Sequence, residues 1–182
     1  MNKLLLCFSL FILLAGQGYG QDLYYAKNVE TSFFSEARFE NIDAVSTKGT
    51  SVINVATGEV AFKIPISSFV FKNGLMQEHF NENYMESDKF ANATFAGKLM
   101  PGVSLLKEGT YNVIVTGKLS VHGITRDRTV AGVAEVKKGR ILVTTSFEVP
   151  VQDHHIDIPN DKISNISQNI LVKVKAQHEP KI

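Results

Sequence analysis

The chain has 182 residues, of which 20% are charged, and its 19 basic and 18 acidic side chains give a formal net charge of +1. Nucleic-acid-binding proteins cluster Lys and Arg to neutralise phosphates, and this sequence has no basic run of that kind. The sequence therefore argues against nucleic acid as a partner, and equally against electrostatic docking on anionic membranes.

Residues 1–20 have the features of a secretory signal peptide. Lys3 precedes an eleven-residue apolar run, and Gly18 and Gly20 provide small residues at the −3 and −1 positions. The apolar run is shorter than the ~20 residues that span a bilayer, and no later stretch is apolar enough, so we expect no stable membrane insertion. We predict cleavage near Gly20 and a periplasmic or secreted protein.

Residues 21–182 are predicted to form a single domain. They contain no linker, low-complexity tract or repeat, and they are long enough to bury a sizeable core. Cys7 is the only cysteine of the chain, so this domain is stabilised by burial rather than by disulfides.

Alternation of apolar and polar residues dominates the domain and predicts β-strands with one buried face. In the longest example, residues 111–122, the odd positions are apolar and the even positions are almost entirely polar. Turn signals at 47–49, 57–59, 107–109 and 137–139 separate several of the segments. The predicted strands lie around residues 33–39, 52–55, 60–66, 93–99, 111–122, 129–136, 141–151 and 170–176.

About eight strands in hairpin succession indicate an all-β, antiparallel fold. Long strands with one apolar face suit an eight-stranded barrel, because closure removes the exposed sheet edges. The interior of such a barrel is either filled by side chains or holds one small apolar ligand. The pattern alone leaves a two-sheet sandwich open.

Residues 73–89 interrupt the alternation. Met76, Phe80 and Tyr84 are spaced four apart, which is helical spacing, whereas Asn81 and Asn83 interrupt it. The segment predicts one or two short helical turns that cover one end of the barrel.

Polar clusters give only weak signals for catalysis or metal binding. His79 and Glu82 lack the second histidine of the zinc-protease patterns. In "QDHHIDIP", residues 152–159, alternation would bring Asp153, His155 and Asp157 to one strand face, but zinc sites usually gather ligands from separate elements. There is also no G-x-S-x-G motif or Gly-rich phosphate loop. We therefore predict no catalytic residue, no metal and no cofactor, and retain a metal-dependent hydrolase as the least favoured alternative.

Three stretches, residues 74–99, 109–130 and 147–159, together resemble the YceI-like polyisoprenoid-binding family. The resemblance covers nearly all of residues 24–177. It lies in a histidine-containing helical segment, an x-F-x-G strand, a G-x-L-x-x-H-G-x-T strand and a late F-x-V-x-x-D-like strand. These parts are carried here by His79, Phe95–Gly97, Gly117, Leu119, His122, Gly123, Thr125, Phe147 and Asp153.

The resemblance implies a lipocalin-like barrel, exported to the periplasm, whose tunnel takes a long isoprenoid or related lipid without catalysis. Many members have Arg-Asp before the helical histidine, where this chain has Met76 and Gln77, and a histidine in the first strand region, where this chain has "TSFFSEA". Fewer polar groups then remain to hold a charged head, which favours a neutral or quinone-like lipid.

The leading hypothesis is an exported, non-enzymatic binder or carrier of a long apolar lipid. His79, His122 and either Tyr84 or Tyr111 would meet the polar end of the ligand, and the other site residues would line the tunnel. The alternative is a structural or stress-related interaction module with a packed barrel. The apolar run 69–71 is compatible with a homodimer. The predicted ligand-binding residues are Phe33, Phe62, Phe69, Phe71, Met76, His79, Phe80, Tyr84, Met85, Phe95, Tyr111, His122 and Phe147.

Overall fold

The computed structural model describes residues 22–36, 41–159 and 166–181 of the chain. The predicted signal peptide lies outside these ranges, as does Phe39 at the end of the first predicted strand. The strands are β1 Leu23–Ser35, β2 Ile42–Asn54, β3 Glu59–Pro65, β4 Val70–Phe71, β5 Asn92–Leu99, β6 Gly109–Val121, β7 Ile124–Lys137, β8 Arg140–Pro150 and β9 Asn169–Pro180.

The strands form one closed antiparallel sheet, as the sequence predicts. Within the described ranges, the sheet order is β1-β9-β8-β7-β6-β5-β3-β2-β4, and an additional β1–β2 pairing closes the barrel. Eight strands are long, whereas β4 has two residues and pairs only with the start of β2. The prediction of an eight-stranded barrel is therefore confirmed, with β4 as a short addition.

The interruption at residues 73–89 is a short helical cap, which confirms the predicted helical turns. The helix α1 spans Gly74–His79 and continues into a π-helical turn, Phe80–Tyr84. The Asn73 side chain accepts hydrogen bonds from the backbone N–H groups of Leu75 and Met76, which satisfies N–H groups that lack a partner within the helix. We refer to residues 73–90 as the cap. The helices of the described ranges are all too short to cross a membrane.

The predicted turn at residues 47–49 is wrong, because these residues lie inside β2. The β1–β2 register shifts on both sides of Val29, which pairs with Gly49, and Asn28 has a φ of 57°. A residue in the left-handed region inserts an extra position into one strand, which forms a bulge instead of a turn. Lys48 and Gly49 therefore lie beside a bulge and not at the end of a strand.

His122 also differs from its prediction as a strand residue. It forms a two-residue turn with Gly123 between β6 and β7, with φ values of 50° and 73°. Positive φ at both central residues defines the type I′ turn that suits antiparallel hairpins. Lys138 and Gly139 form an equivalent turn between β7 and β8, as the signal at residues 137–139 predicts.

The two ends of the barrel differ in what covers them. At one end, called the cap end, lie the cap, the β6–β7 turn and the 3₁₀ turn Val151–His154. At the other, called the far end, lie the turn at Gly58, the β7–β8 turn and residues 100–108. The far end holds the largest buried aliphatic cluster, which comprises Ile53, Val60, Leu105, Val113, Ala134, Val136 and Ile141.

Candidate functional site

An apolar cavity of about 540 Å³ runs inside the barrel from the cap to the far-end cluster. On β8 its wall includes Val143 and Val149. Six residue steps at about 3.4 Å each give the cavity a length of roughly 20 Å along that strand. Both its volume and its elongated shape fall within what small-molecule sites of proteins provide.

The lining of the cavity is almost entirely apolar. Among the described residues, it includes no Lys, Arg, Asp or Glu, and its titratable side chains are His79 and Tyr84. The remaining polar side chains are the hydroxyls of Thr31, Ser35, Thr94 and Thr145. Such a lining favours an uncharged chain, because a buried charge without a partner is costly.

Eleven of the thirteen predicted ligand-binding residues line this cavity. They come from five different strands, the cap and the connections beside them, so the barrel brings together residues that are far apart in sequence. Whether they contact a ligand stays a prediction. The eleven are Phe33, Phe62, Phe69, Phe71, Met76, His79, Phe80, Tyr84, Met85, Phe95 and Phe147.

Four phenylalanines form an aromatic cluster beneath the cap. Phe33 and Phe80 stack at 5.3 Å between ring centroids, and Phe69 and Phe71 contact both rings at 5.0–5.8 Å. Aromatic pairs at these distances attract each other beyond their area burial. The cluster therefore holds the π-helical turn against β1 and β4.

His79 marks the mouth of the cavity at the cap end. It is exposed to solvent and also lines the cavity, whereas its neighbours Met76 and Tyr84 are half-buried. A polar group of a bound ligand at this position would reach both the imidazole and water.

Tyr111 lies away from the cavity, at the far end. Its ring packs on the far-end cluster, and its hydroxyl donates to the backbone carbonyls of Lys107 and Glu108 at 3.0 and 3.3 Å. The structure thus gives Tyr111 the role of closing the loop before β6, rather than meeting a ligand.

His122 also lies away from the cavity, where it joins the cap to the barrel. Its Nε2 lies 3.2 Å from Glu86 Oε2 and its Nδ1 lies 3.2 Å from the carbonyl oxygen of His154. Its ring contacts Phe90 edge-on at 4.5 Å. The hydrogen bond from Lys89 is the main cause of the lowered pKa of Glu86, and His122 adds to it. The turn position of His122 directs its ring towards the end of the cap.

Sequence reasoning missed the aliphatic part of the wall. The inward residues of β6, Val113, Val115, Leu119 and Val121, line the cavity together with aromatic residues. The signal was present, because these are odd positions of the alternating segment 111–122. The predicted site included only aromatic and methionine side chains, so it omitted these aliphatic residues.

The segment "QDHHIDIP" is not the strand that its alternation suggests. Val151–His154 is a 3₁₀ turn and His155 has a φ of 52°. Asp153 instead accepts a hydrogen bond from Arg128 at 2.9 Å. The described residues contain no group of three or more His, Cys, Asp or Glu side chains arranged to bind a metal.

Two fully buried histidines serve the packing of the barrel. His154 donates from Nδ1 to the carbonyl of Ile124 at 3.0 Å, and burial lowers its pKa. His178 lies 2.8 Å from the Ser51 hydroxyl, and burial lowers its pKa to about 4. Both rings are therefore neutral near pH 7 and act as hydrogen-bonding core residues.

The comparisons with known proteins agree on one family and one fold. Residues 24–178 match the family model of the YceI-like domain. No curated protein matches the chain significantly.

The solved structures show the same barrel at low sequence identity. A polyisoprenoid-binding domain from Saccharophagus degradans is 15% identical, with a TM-score of 0.74 over 88% of this chain and 99% of that chain. BcnA of Burkholderia cenocepacia is 14% identical, with a TM-score of 0.70 over 82% and 95% of the two chains. A YceI protein of Campylobacter jejuni is 16% identical, with a TM-score of 0.64 over 80% and 90%.

Proposed function

Because the chain belongs to the YceI-like family, we propose that it is an exported, non-enzymatic binder or carrier of a long apolar lipid. The lipid would be a polyisoprenoid, a quinone or a similar molecule. The observation that carries the proposal is the elongated apolar cavity inside the barrel.

The driving force for binding is removal of the lipid chain from water. Apolar area contributes roughly 25 cal/mol per Å² before the costs of association are subtracted. The absence of Lys and Arg from the described lining favours an uncharged chain inside the barrel. This reasoning supports a prenol or quinone over a molecule whose charged head must enter the cavity.

One structural neighbour supports the proposed class of ligand. The Saccharophagus degradans relative is described as a polyisoprenoid-binding domain, and a comparable ligand suits the cavity of this chain. The signal-peptide features of residues 1–20 support a periplasmic or secreted location.

The alternative of a structural module with a packed barrel is less well supported. That alternative requires an interior filled by side chains, whereas the interior has a cavity of about 540 Å³. The metal-dependent hydrolase has still less support, since Asp153 is paired with Arg128 and His154 is buried in the core.

The proposal is tested by purifying residues 21–182 and identifying co-purified lipid by mass spectrometry. The delipidated protein is then offered a prenol and a quinone. We expect one of the two to bind, and absence of both co-purified lipid and uptake would contradict the proposal.

A matched pair of substitutions on β6 supplies the control. Val115→Phe adds a ring inside the cavity and should block binding, whereas Thr116→Phe adds the same ring on the exposed outer face.

A further inference from the structure

The hydrogen-bond ladder between β7 and β8 ends halfway along the barrel. The pairing runs from Lys137 opposite Arg140 to Gly132 opposite Thr145 and then stops. Both strands continue towards the cap end, β7 back to Ile124 and β8 on to Pro150. The barrel wall therefore contains a seam, between residues 124–131 of β7 and residues 146–150 of β8, that lacks strand pairing.

Side chains close the seam where the ladder is missing. The Thr145 hydroxyl donates to the carbonyl of Ala131 at 2.6 Å, directly at the point where the strands separate. Nearer the cap end, His154 donates to the carbonyl of Ile124, and Arg128 pairs with Asp153. Local opening of a protein follows the regions with the fewest backbone hydrogen bonds to break. The seam is one such region of the barrel wall.

An outer groove lies at the start of the seam, where its lining includes Ala131 and Ser146, and it shares wall residues with the cavity. The groove has a volume of about 470 Å³, and its polar rim includes Glu30, Lys173 and Lys175. The residues that line both the groove and the cavity are Ala131, Gly132, Thr145 and Val174. Where the ladder ends, these four residues separate the groove from the cavity.

Gly132 lies where the ladder ends, and there the two backbones approach closely. A Cβ atom at this position would lie 2.7 Å from the carbonyl oxygen of Thr144, which is closer than real Cβ atoms approach. Glycine permits a close approach of the two backbones and a tight bend at a barrel corner. The wall at the end of the ladder therefore carries no side chain at residue 132.

We propose that the seam between β7 and β8 is a lateral portal through which an apolar chain passes from the outer groove into the cavity. The inference rests on the proposed function and adds the route that the ligand takes. The chain first lies in the groove, then separates β7 from β8 beyond Gly132, and so reaches the cavity without displacement of the cap.

The test uses a removable block in the groove. Residues 21–182 contain no cysteine, so Ser146→Cys introduces a single thiol at an exposed groove position. A bulky thiol is attached to it as a mixed disulfide. Thr116→Cys, on the outer face of β6 where both neighbouring ladders are continuous, carries the same label as the matched control. Binding and release of a fluorescent geranylgeranyl derivative are measured by stopped flow.

A blocked portal slows both directions of the exchange. The label on Ser146→Cys should lower the association and dissociation rates by at least about tenfold each, because a barrier on the path opposes movement both ways. Reduction of the mixed disulfide should restore both rates. The labelled Thr116→Cys protein should behave like the unmodified one.

Two results would overturn the portal. Unchanged rates in the labelled Ser146→Cys protein would show that the ligand enters elsewhere, such as past the cap. Faster release with unchanged association would show that Ser146 lies near the bound ligand but not on its path. Failure of the unmodified protein to bind the probe at all would instead contradict the proposed function, and the portal with it.

Discussion

The far end and the cap end of the barrel are built from the same alternating strands but are packed in different ways. At the far end, Ile141, Ala134 and Ile53 are at most 2% exposed, and aliphatic side chains fill the interior. At the cap end, Phe33, Met76 and Phe80 are half-buried around open space. The difference coincides with the β7–β8 pairing, which is continuous at the far end and absent near the cap.

The comparison shows how one barrel can be both stable and open. At the far end, aliphatic side chains pack into one buried cluster, as expected at native packing density. Near the cap end, four phenylalanines contact one another beside the cavity. The far end therefore closes the cavity with a packed aliphatic cluster, whereas the cap end surrounds it with aromatic side chains.

The largest expected effect comes from breaking the far-end packing. Ile141→Ala should lower the free energy of unfolding by about 2–5 kcal/mol, because it leaves a cavity in a fully buried cluster. Val133→Ala, on the exposed outer face of β7, should change it by less than about 0.5 kcal/mol. Urea denaturation measures both. Equal effects of the two substitutions would contradict the far-end assignment.

Lowering the pH should reduce the free energy of unfolding through His178, which lies at the far end. Its pKa is lowered from 6.5 to about 4, so between these values the unfolded chain binds a proton that the folded protein does not. The stability contribution is complete above pH 6.5 and is lost as the pH falls to 4, by about 3 kcal/mol in total.

The matched measurement compares urea denaturation of the natural protein and of His178→Gln at pH 7 and pH 4.5. Carboxylates and His154 titrate in both proteins, so the difference between them isolates His178. The variant should lose less stability on acidification. An identical loss in the two proteins would show that His178 does not titrate in this range.

At the cap end, a core substitution should affect ligand binding more than folding. Phe80→Ala removes a ring that contacts Phe33, Phe69 and Phe71, and should lower the free energy of unfolding by about 1–2 kcal/mol. Lipid retention should fall at the same time. Phe34→Ala, on the outer face of β1 beside Phe33, serves as the control. Undiminished lipid retention in Phe80→Ala would contradict the role of the aromatic cluster.

The smallest effect on stability is expected at the mouth. His79 is exposed, so His79→Ala should change the free energy of unfolding by less than about 0.5 kcal/mol, while lipid retention is weakened. Leu75→Ala alters an exposed residue of the same helix that does not line the cavity. Equal lipid retention in the two variants would count against a role for His79.

Much of the fold could be predicted because its signals are local. A period of two along residues 111–122 and 141–151 reports which side chains face inwards, and all but the last residue of each segment lie in β6 and β8. The turn at residues 47–49 could not be predicted correctly, since the bulge at Asn28 depends on the neighbouring strand. The same limitation applies to residues 152–159, of which the first three lie in a 3₁₀ turn instead of a strand.

The sequence predicted most of the aromatic residues of the candidate site, but it did not predict which residues lie away from the cavity. Phenylalanines and methionines are conspicuous in a sequence, and eleven predicted residues line one cavity. Tyr111 and His122 have the same residue types as true lining residues. Only their positions, on the far-end cluster and in a two-residue turn, separate them from the cavity.

The sequence by itself determined most of β3, β5, β6, β8 and β9, the apolar face of these strands and the short helical cap, because periodicity and turn chemistry act between residues that are close along the chain. The tertiary structure decided where the barrel is filled and where it is open. The β7–β8 ladder, which ends at Gly132 and Thr145, is one example, because strand separation is a property of two backbones that no single segment encodes.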